Sequence, residues 1–447
     1  MREAASGERA RKTVFCLTMG CSKNSVDSER ITGVLRQAGY DIVPEAAGSD
    51  VCLINTCGFI RPAVEENIEG ILDMVDLKSS GGTGRVVVAG CLVNRYGANA
   101  LGKEIPDVDG WTANDDYGAI LRAVSGDPAR TALDCSRRFS LPGTPKHVRY
   151  LKLSEGCDRH CAYCAIPSIR GALRSGAVDE IVSEAVELAA DGARELCLVA
   201  QDLTAYGRDM GVKDGLLKLL DALEPSLPGD VWLRLLYLQP DGVDKKLLER
   251  VASGRILPYL DIPVQHSSRK VLSLMGRPGS YEALLGKFRL AREINPDFAL
   301  RTTCMVGFPG EGREDFDGLL RFLDEARLDR VGAFAFSPEE GTPAASMPGQ
   351  VAPRTKRSRL DKLMELQEGI SLSRQELFLG RTLDVMIDEP ARDGIAEGRS
   401  FREAPEADGL IEIRGARDGL APGDVIKAVV TEVMEHDMIA LEASCNV

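Results

Sequence analysis

The chain has 447 residues, 44% of them hydrophobic and 28% charged, and its 55 basic and 68 acidic side chains give a net charge of −13. This composition is that of a folded chain and not a disordered one, and the acidic excess argues against a protein-wide electrostatic grip on nucleic acid. No apolar run reaches the roughly 18 residues of a membrane span, and the start, MREAASGERARK, lacks the apolar core of a signal peptide, so the expected location is the cytoplasm, with no membrane partner.

At about 150 residues per domain the length suggests about three domains. The first, residues 11–135, alternates strand and helix. Val14–Met19 is a short apolar run ending in Gly20-Cys21. The stretch that follows places Ile31, Val34 and Leu35 on one helical face, with Asp27 or Ser28 available as a cap and Gly39 as a stop. Val51–Asn55 and Arg85–Ala89 read as further strands, separated by a helix over 62–75, and GGTG at 81–84 precedes a strand, so it reads as a loop and not as a phosphate cradle. The alternation predicts an open parallel α/β sheet.

Residues 136–147, with SLPGTPKH, read as a linker. Six strand candidates follow in 148–376: Tyr150–Glu155, Glu195–Gln201, Val231–Tyr237, Tyr259–Gln265, Leu300–Val306 and Arg330–Phe336. Helical patterns separate them, which predicts a partial, TIM-like (βα)6 barrel with its working face at the C-terminal ends of the strands. A polar helix over 354–377 leads to residues 377–447, where short alternating runs between Gly, Pro and Asp predict a small β-barrel.

Twelve cysteines are the anomaly of the composition. In the expected reducing compartment, clustered thiols point to metal or catalysis rather than to disulfides. Cys157, Cys161 and Cys164 form C-x3-C-x2-C just after the first barrel strand. Three thiolates on one short loop can hold three irons of a [4Fe–4S] cluster and leave the fourth open to chelate a substrate. This spacing is the signature of the radical S-adenosylmethionine (SAM) superfamily, and Tyr163 fits the usual aromatic before the last cysteine. The competing reading is a zinc site with His160 as fourth ligand, but zinc pairs usually come as C-x2-C with a second pair downstream. Cys21, Cys57 and Cys91 each stand just past a predicted strand, at the ends that line one crevice of a parallel sheet. They suit a second cluster, or are three small buried residues. Cys16 and Cys52, five residues upstream of Cys21 and Cys57, are the rival ligands, though inside strands they should point into packing. Cys135, Cys197, Cys304 and Cys445 show no partner pattern.

MGCSKNSVDSER, NTCGFI, AGCL, SEGCDRHCAYCAIPSIRG and GFPGE occur in this order. Together they resemble the radical SAM methylthiotransferases over nearly the whole chain. The resemblance implies an N-terminal methylthiotransferase domain, a radical SAM barrel and a C-terminal domain of the TRAM type. It maps auxiliary-cluster ligands onto Cys21, Cys57 and Cys91, and so implies two [4Fe–4S] clusters with SAM as cofactor and co-substrate. The implied reaction turns C–H into C–S–CH3. One SAM methylates a sulfur held at the auxiliary cluster. A second, reduced at the Cys157/Cys161/Cys164 cluster, yields a radical that takes hydrogen from the target. Cys57 thereby joins Cys157, Cys161 and Cys164 among the residues expected to carry the chemistry.

Tyr163, Gln201, Gln265 and Arg301 are expected to contact SAM, the last three because they lie near barrel strand ends, with Asp202 and Asp261 as weaker candidates. The GFPGE glycines either let backbone approach a ligand or simply make the turn. Two branches of the family compete, one acting on the β-carbon of an aspartate in small-subunit ribosomal protein S-twelve, the other on an adenosine of transfer RNA. From Arg381 to Val447 there are seven basic and fifteen acidic residues. A barrel of that charge suits a basic ribosomal protein better than phosphates, so the protein substrate is expected and transfer RNA is the alternative. A cluster-bearing electron carrier is the remaining reading, but a carrier rarely needs a full barrel with an open-iron loop. The sequence names neither the sulfur donor nor the reductant.

Overall fold

The computed structural model describes residues 11–131 and 137–443. The chain divides at Thr144/Pro145 into two units, with Ser168–Gly171 belonging to the first.

In the first unit the strands are β1 (Thr13–Thr18), β2 (Asp41–Val43), β3 (Val51–Thr56), β4 (Val86–Gly90) and β5 (Gly110–Thr112), in the all-parallel order β2-β1-β3-β4-β5. The two edge strands have three residues each, too few for a periodic signal. β3 and β4 are buried at every residue, as parallel strands covered on both faces must be. The helices are α1 (Ser22–Gln37), α2 (Arg61–Ser79), α3 (Cys91–Tyr96), α4 (Ala98–Glu104) and α5 (Tyr117–Ser125).

α1 corrects the expected cap. It starts at Ser22 with Cys21 at the N-cap position, and Asp27 and Ser28 are buried within it. Its first turns carry polar residues because they serve buried hydrogen bonds: Ser28 Oγ lies 2.6 Å from Thr18 Oγ1 and accepts from Asn55 Nδ2 at 2.9 Å. Such a start is invisible to hydrophobic periodicity. Residues 137–141 of the expected linker lie along this helix. Phe139 donates its N–H to the Glu29 carbonyl (2.9 Å), and the Arg36 guanidinium stacks 3.8 Å over its ring.

In the second unit β6 (Val148–Lys152), β7 (Ser154–Glu155), β8 (Arg174–Ser175), β9 (Glu195–Val199), β10 (Trp232–Leu235), β11 (Tyr259–Asp261), β12 (Ala299–Val306) and β13 (Arg330–Ala335) follow one another. They make two parallel arcs, β10-β9-β6 and β11-β12-β13, joined between β10 and β11 by the Leu233–Ile256 bridge and by Leu238 N–H to the Asp261 carbonyl (2.9 Å). The six main strands thus follow chain order around an open barrel. The two-residue ribbon β7–β8 brackets residues 156–173, the loop that carries Cys157, Cys161 and Cys164.

Helix Pro353–Gln375 lies against β13 and leads to a closed five-stranded barrel. Its strands are β14 (Thr382–Arg392), β15 (Ile395–Arg399), β16 (Ile411–Arg414), β17 (Val425–Val433) and β18 (Met438–Glu442), ordered β14-β15-β16-β18-β17 around a core that includes Val385, Ile387, Ile413 and Val430. Among the described residues no helix is long and apolar enough to cross a membrane.

The small barrel is tied to the (βα) barrel by buried charge. Glu195 at the start of β9 accepts from Arg234 Nε (2.6 Å) and Arg399 Nη1 (2.7 Å), and Asp388, bonded to Arg399, is 2.8 Å from His147 Nε2. Burial pushes the Glu195 carboxyl up, but the two guanidiniums outweigh it and hold it below the ordinary carboxylate range. Glu195→Ala leaves Arg234 buried without its counter-charge, and removing one partner of such a pair costs about 3–5 kcal/mol. Denaturant unfolding should show that loss, whereas an effect below about 1 kcal/mol would mean that the pair is well solvated.

Candidate iron–sulfur sites and family membership

In the second unit the loop between β7 and β8 is fixed by its backbone. Ala162 N–H donates to the Met275 carbonyl (2.9 Å), the Ala162 carbonyl accepts from Ala344 N–H (2.8 Å), and Cys164 N–H donates to the Cys161 carbonyl (3.0 Å). Cys161 is buried and Cys157 and Cys164 are half-buried. Burial pushes the Cys157 thiol up and the Cys164 thiol up to about 12, so loading with iron must release protons. Arg277 braces the loop: it donates to Gln239 Oε1 (2.6 Å) and the Pro263 carbonyl (2.7 Å), and its Nη1 lies 3.4 Å from the Tyr163 hydroxyl and 3.8 Å from Cys161 Sγ. Arg159 donates to Asp202 Oδ2 at 2.5 Å, so the loop is charge-paired on that side as well.

Past the strand ends several buried polar atoms have no hydrogen-bond partner among the described residues: Ser154 Oγ, Gln201 Oε1, Gln265 Oε1, His266 Nε2 and Ser267 Oγ. Buried atoms of this kind cost free energy unless something satisfies them. Gln201 Nε2 donates to Glu155 Oε1 (2.8 Å), beside the cysteine loop. Gln265 adopts φ +66°, a backbone conformation that non-glycine residues rarely occupy. Burial pushes the His266 imidazole down to about 4, which keeps it neutral. These orphaned polar atoms, two of them amide oxygens that only accept, fit a polar ligand that brings its own hydrogen-bond donors.

The structure separates Arg301 from this group. It is the third residue of the eight-residue β12, toward the strand's start, and its guanidinium is taken by Asp261 (3.2 Å) and Asp408 (3.3 Å) of the small barrel. Asp261 also accepts from Tyr237 N–H (3.0 Å), and Asp202 is held by Arg159 and Thr204. The GFPGE loop makes a turn: Glu311 Oε2 accepts from Gly307 N–H (2.5 Å) and Phe308 N–H (3.1 Å), while Oε1 accepts from Arg359 (2.8 Å).

In the first unit β1, β3 and β4 deliver Cys21, Cys57 and Cys91 to one end of the sheet. Two glycines make the approach possible. At Gly20 (φ +101°) a Cβ would lie 2.7 Å from Cys57 Cβ, and at Gly58 one would lie 2.7 Å from the Cys91 carbonyl oxygen. Cys57 N–H donates to Asn67 Oδ1 (2.8 Å). Burial pushes the Cys57 thiol up and the Cys91 thiol up to about 12, and in each case the facing Arg170 partly offsets it. Cys16 and Cys52 are buried in separate apolar clusters, and Cys52 Sγ lies 3.5 Å from the Ser49 and Thr83 hydroxyls. No three His, Cys, Asp or Glu side chains among the described residues converge tightly enough for a single metal ion. Cys197 and Cys304 are core residues, and Cys135 and Cys445 lie outside the described residues.

Residue-by-residue reasoning missed Arg277, Arg159, Asn24 and Arg170. Asn24, Arg159 and Arg170 had a signal, their places in the MGCSKNSVDSER and SEGCDRHCAYCAIPSIRG runs, and Arg277 had none.

Comparison with known proteins agrees with this layout. Residues 13–113 match the Uncharacterized protein family UPF0004, 151–323 the Radical SAM superfamily and 379–441 the TRAM domain. A TsrM radical SAM methyltransferase structure from Kitasatospora setae superposes with a TM-score of 0.56 at 15% identity, covering 75% of each chain, which shows the shared fold. Over 95% of its length the chain is 42% identical to the "Ribosomal protein uS12 methylthiotransferase RimO" of Anaeromyxobacter sp. (strain K), spanning 92% of that protein. Against the protein of that name from Oleidesulfovibrio alaskensis it is 44% identical over 96% of this chain and 99% of the relative. The radical SAM match and these relatives make the chain a radical SAM enzyme. Within that class the chain belongs to the RimO family of methylthiotransferases.

Proposed function

We propose that this enzyme adds a methylthio group to the β-carbon of an aspartate in ribosomal protein S-twelve, in the cytoplasm, with two [4Fe–4S] clusters. One is held by Cys157, Cys161 and Cys164, the other by Cys21, Cys57 and Cys91. The observation that carries this reading is the segregation of two cysteine triads, one per unit, each placed just past the C-terminal ends of parallel strands. When bound, the cluster and SAM supply the one-electron chemistry that an unactivated carbon requires and that no side-chain base can provide.

The chain's own residues supply position. Arg277 holds Cys161 and Tyr163 in register with the ends of β10 and β11. Gln201 and Gln265 offer buried carbonyl oxygens to ligand donors, and Ser267 offers a hydroxyl. Burial of these groups excludes water, which would otherwise compete for every one of those bonds.

The small barrel supports a basic protein substrate. Its register sets Glu389 opposite Glu397 and Glu397 opposite Glu412 on neighbouring strands. Like charges directly opposite are destabilising, and a basic partner relieves them. The double variant Glu389→Lys/Glu397→Lys is expected to raise KM for S-twelve about tenfold, or ~1.4 kcal/mol, with kcat unchanged and the difference shrinking in high salt. Steady-state kinetics at two ionic strengths check it.

The reading as a whole is tested with an S-twelve peptide deuterated at the aspartate β-carbon. Deuterium is expected in the 5′-deoxyadenosine released. Its absence while methylthio product forms would place the reaction at another atom.

A further inference from the structure

We propose that Arg170 is a positioning residue for the cluster of Cys21, Cys57 and Cys91, and that it raises that cluster's reduction potential through its hydrogen bond to Cys91. The inference rests on the two-cluster reading above and assigns a role to a side chain outside both triads.

Arg170 is 5% exposed. Its Nε lies 3.1 Å from Cys91 Sγ, its Nη1 donates to Asp27 Oδ2 at 2.6 Å, and its Nη2 donates to Asn24 Oδ1 at 2.5 Å. Neither acceptor is free to swing. Asn24 Nδ2 donates to the Met19 carbonyl (2.8 Å) and the Thr56 carbonyl (3.0 Å), and Asp27 also accepts from Asn114 Nδ2 (3.4 Å). The backbone beside the arginine is held too, since the Ile169 carbonyl accepts from Asn94 Nδ2 on α3 (2.9 Å). A planar guanidinium gripped through both terminal nitrogens by α1 holds its Nε–H in a fixed direction, and that direction is the Cys91 sulfur.

Hydrogen bonds to cluster sulfurs are among the factors that set a cluster's potential, and outer partners of a ligand tune the metal as well as orient it. An N–H donor on a ligand thiolate withdraws electron density and favours the reduced state. Asp27 acts in the opposite sense, because its carboxylate cancels much of the guanidinium charge that the cluster would otherwise feel. Arg170 follows Cys164 by six residues in the chain. The segment that completes the barrel triad therefore also supplies the side chain that touches a ligand of the other triad.

The test uses the full chain carrying Cys157→Ala, Cys161→Ala and Cys164→Ala, loaded anaerobically with iron and sulfide, so that one cluster remains to be titrated by electron paramagnetic resonance. Arg170→Gln is expected to shift the midpoint potential downward and Arg170→Lys to shift it less. Asp27→Asn is expected to shift it upward. A residue that only holds the loop together would not give shifts of opposite sign. Unchanged potentials, or shifts of one sign in the Arg170→Gln and Asp27→Asn variants, overturn the proposal. Should Arg170→Gln fail to retain iron, Asp27→Asn decides alone: an upward shift supports the proposal and any other result overturns it. No iron in the triple-cysteine parent would instead overturn the second cluster itself.

Discussion

Cys161→Ala is expected to abolish cleavage of SAM to 5′-deoxyadenosine, with turnover at least ~10³-fold below the parent. Cys161 is the middle cysteine of its loop and the buried one, and Arg277 reaches from beyond β11 to brace it. Without its sulfur two thiols remain, and a cluster that needs three protein ligands to keep one iron open loses that geometry. Chromatography of the reduced, iron-reconstituted variant with SAM checks the prediction, and iron per chain should fall in step. Cleavage at the parent's rate would remove Cys161 from the ligand set.

Cys57→Ala should separate two activities that Cys161→Ala removes together. SAM cleavage is expected to persist within about twofold of the parent, while methylthio product falls at least ~10³-fold. The reason is the division of labour proposed above for the two triads, which lie in different units of the chain. Cys52→Ala, five residues upstream inside the strand that Cys57 follows, provides the control. Its sulfur is packed against Ser49 and Thr83, so both activities should survive at some cost in stability. Product from the Cys57→Ala enzyme at the parent's rate would sink the two-triad account.

The placement of both cysteine triads was legible in the sequence, for different physical reasons, whereas reading the second as cluster ligands rested on the family resemblance. C-x3-C-x2-C is a local pattern, read without any knowledge of the fold. Cys21, Cys57 and Cys91 are 36 and 34 residues apart, and were legible because apolar strands precede them and parallel strands bring their C-terminal ends together. The same logic placed Gln201 and Gln265 past strand ends, where the structure leaves their side-chain oxygens buried and unbonded. It misplaced Arg301, which stands at the start of the strand expected over Leu300–Val306 and not past its end, and no spacing in the sequence reveals that Asp408 waits on another domain.

What could not be read is the set of contacts that single polar residues make across long stretches of chain. Arg277 meets Cys161 across 116 positions and Arg170 meets Asn24 across 146. A lone arginine carries no spacing signal. The start of α1 was hidden for a related reason. Asn24, Asp27 and Ser28 are buried to satisfy neighbours, so the helix opens with a polar inner face.

The most direct test of the central claim is mass spectrometry of the product. The anaerobically reconstituted, reduced enzyme receives SAM with ribosomal protein S-twelve and bulk transfer RNA in parallel. A methylthio mass gain on one aspartate of S-twelve, with transfer RNA unchanged, is the predicted result. A gain on a transfer RNA adenosine with S-twelve unchanged would contradict it and reassign the acidic barrel.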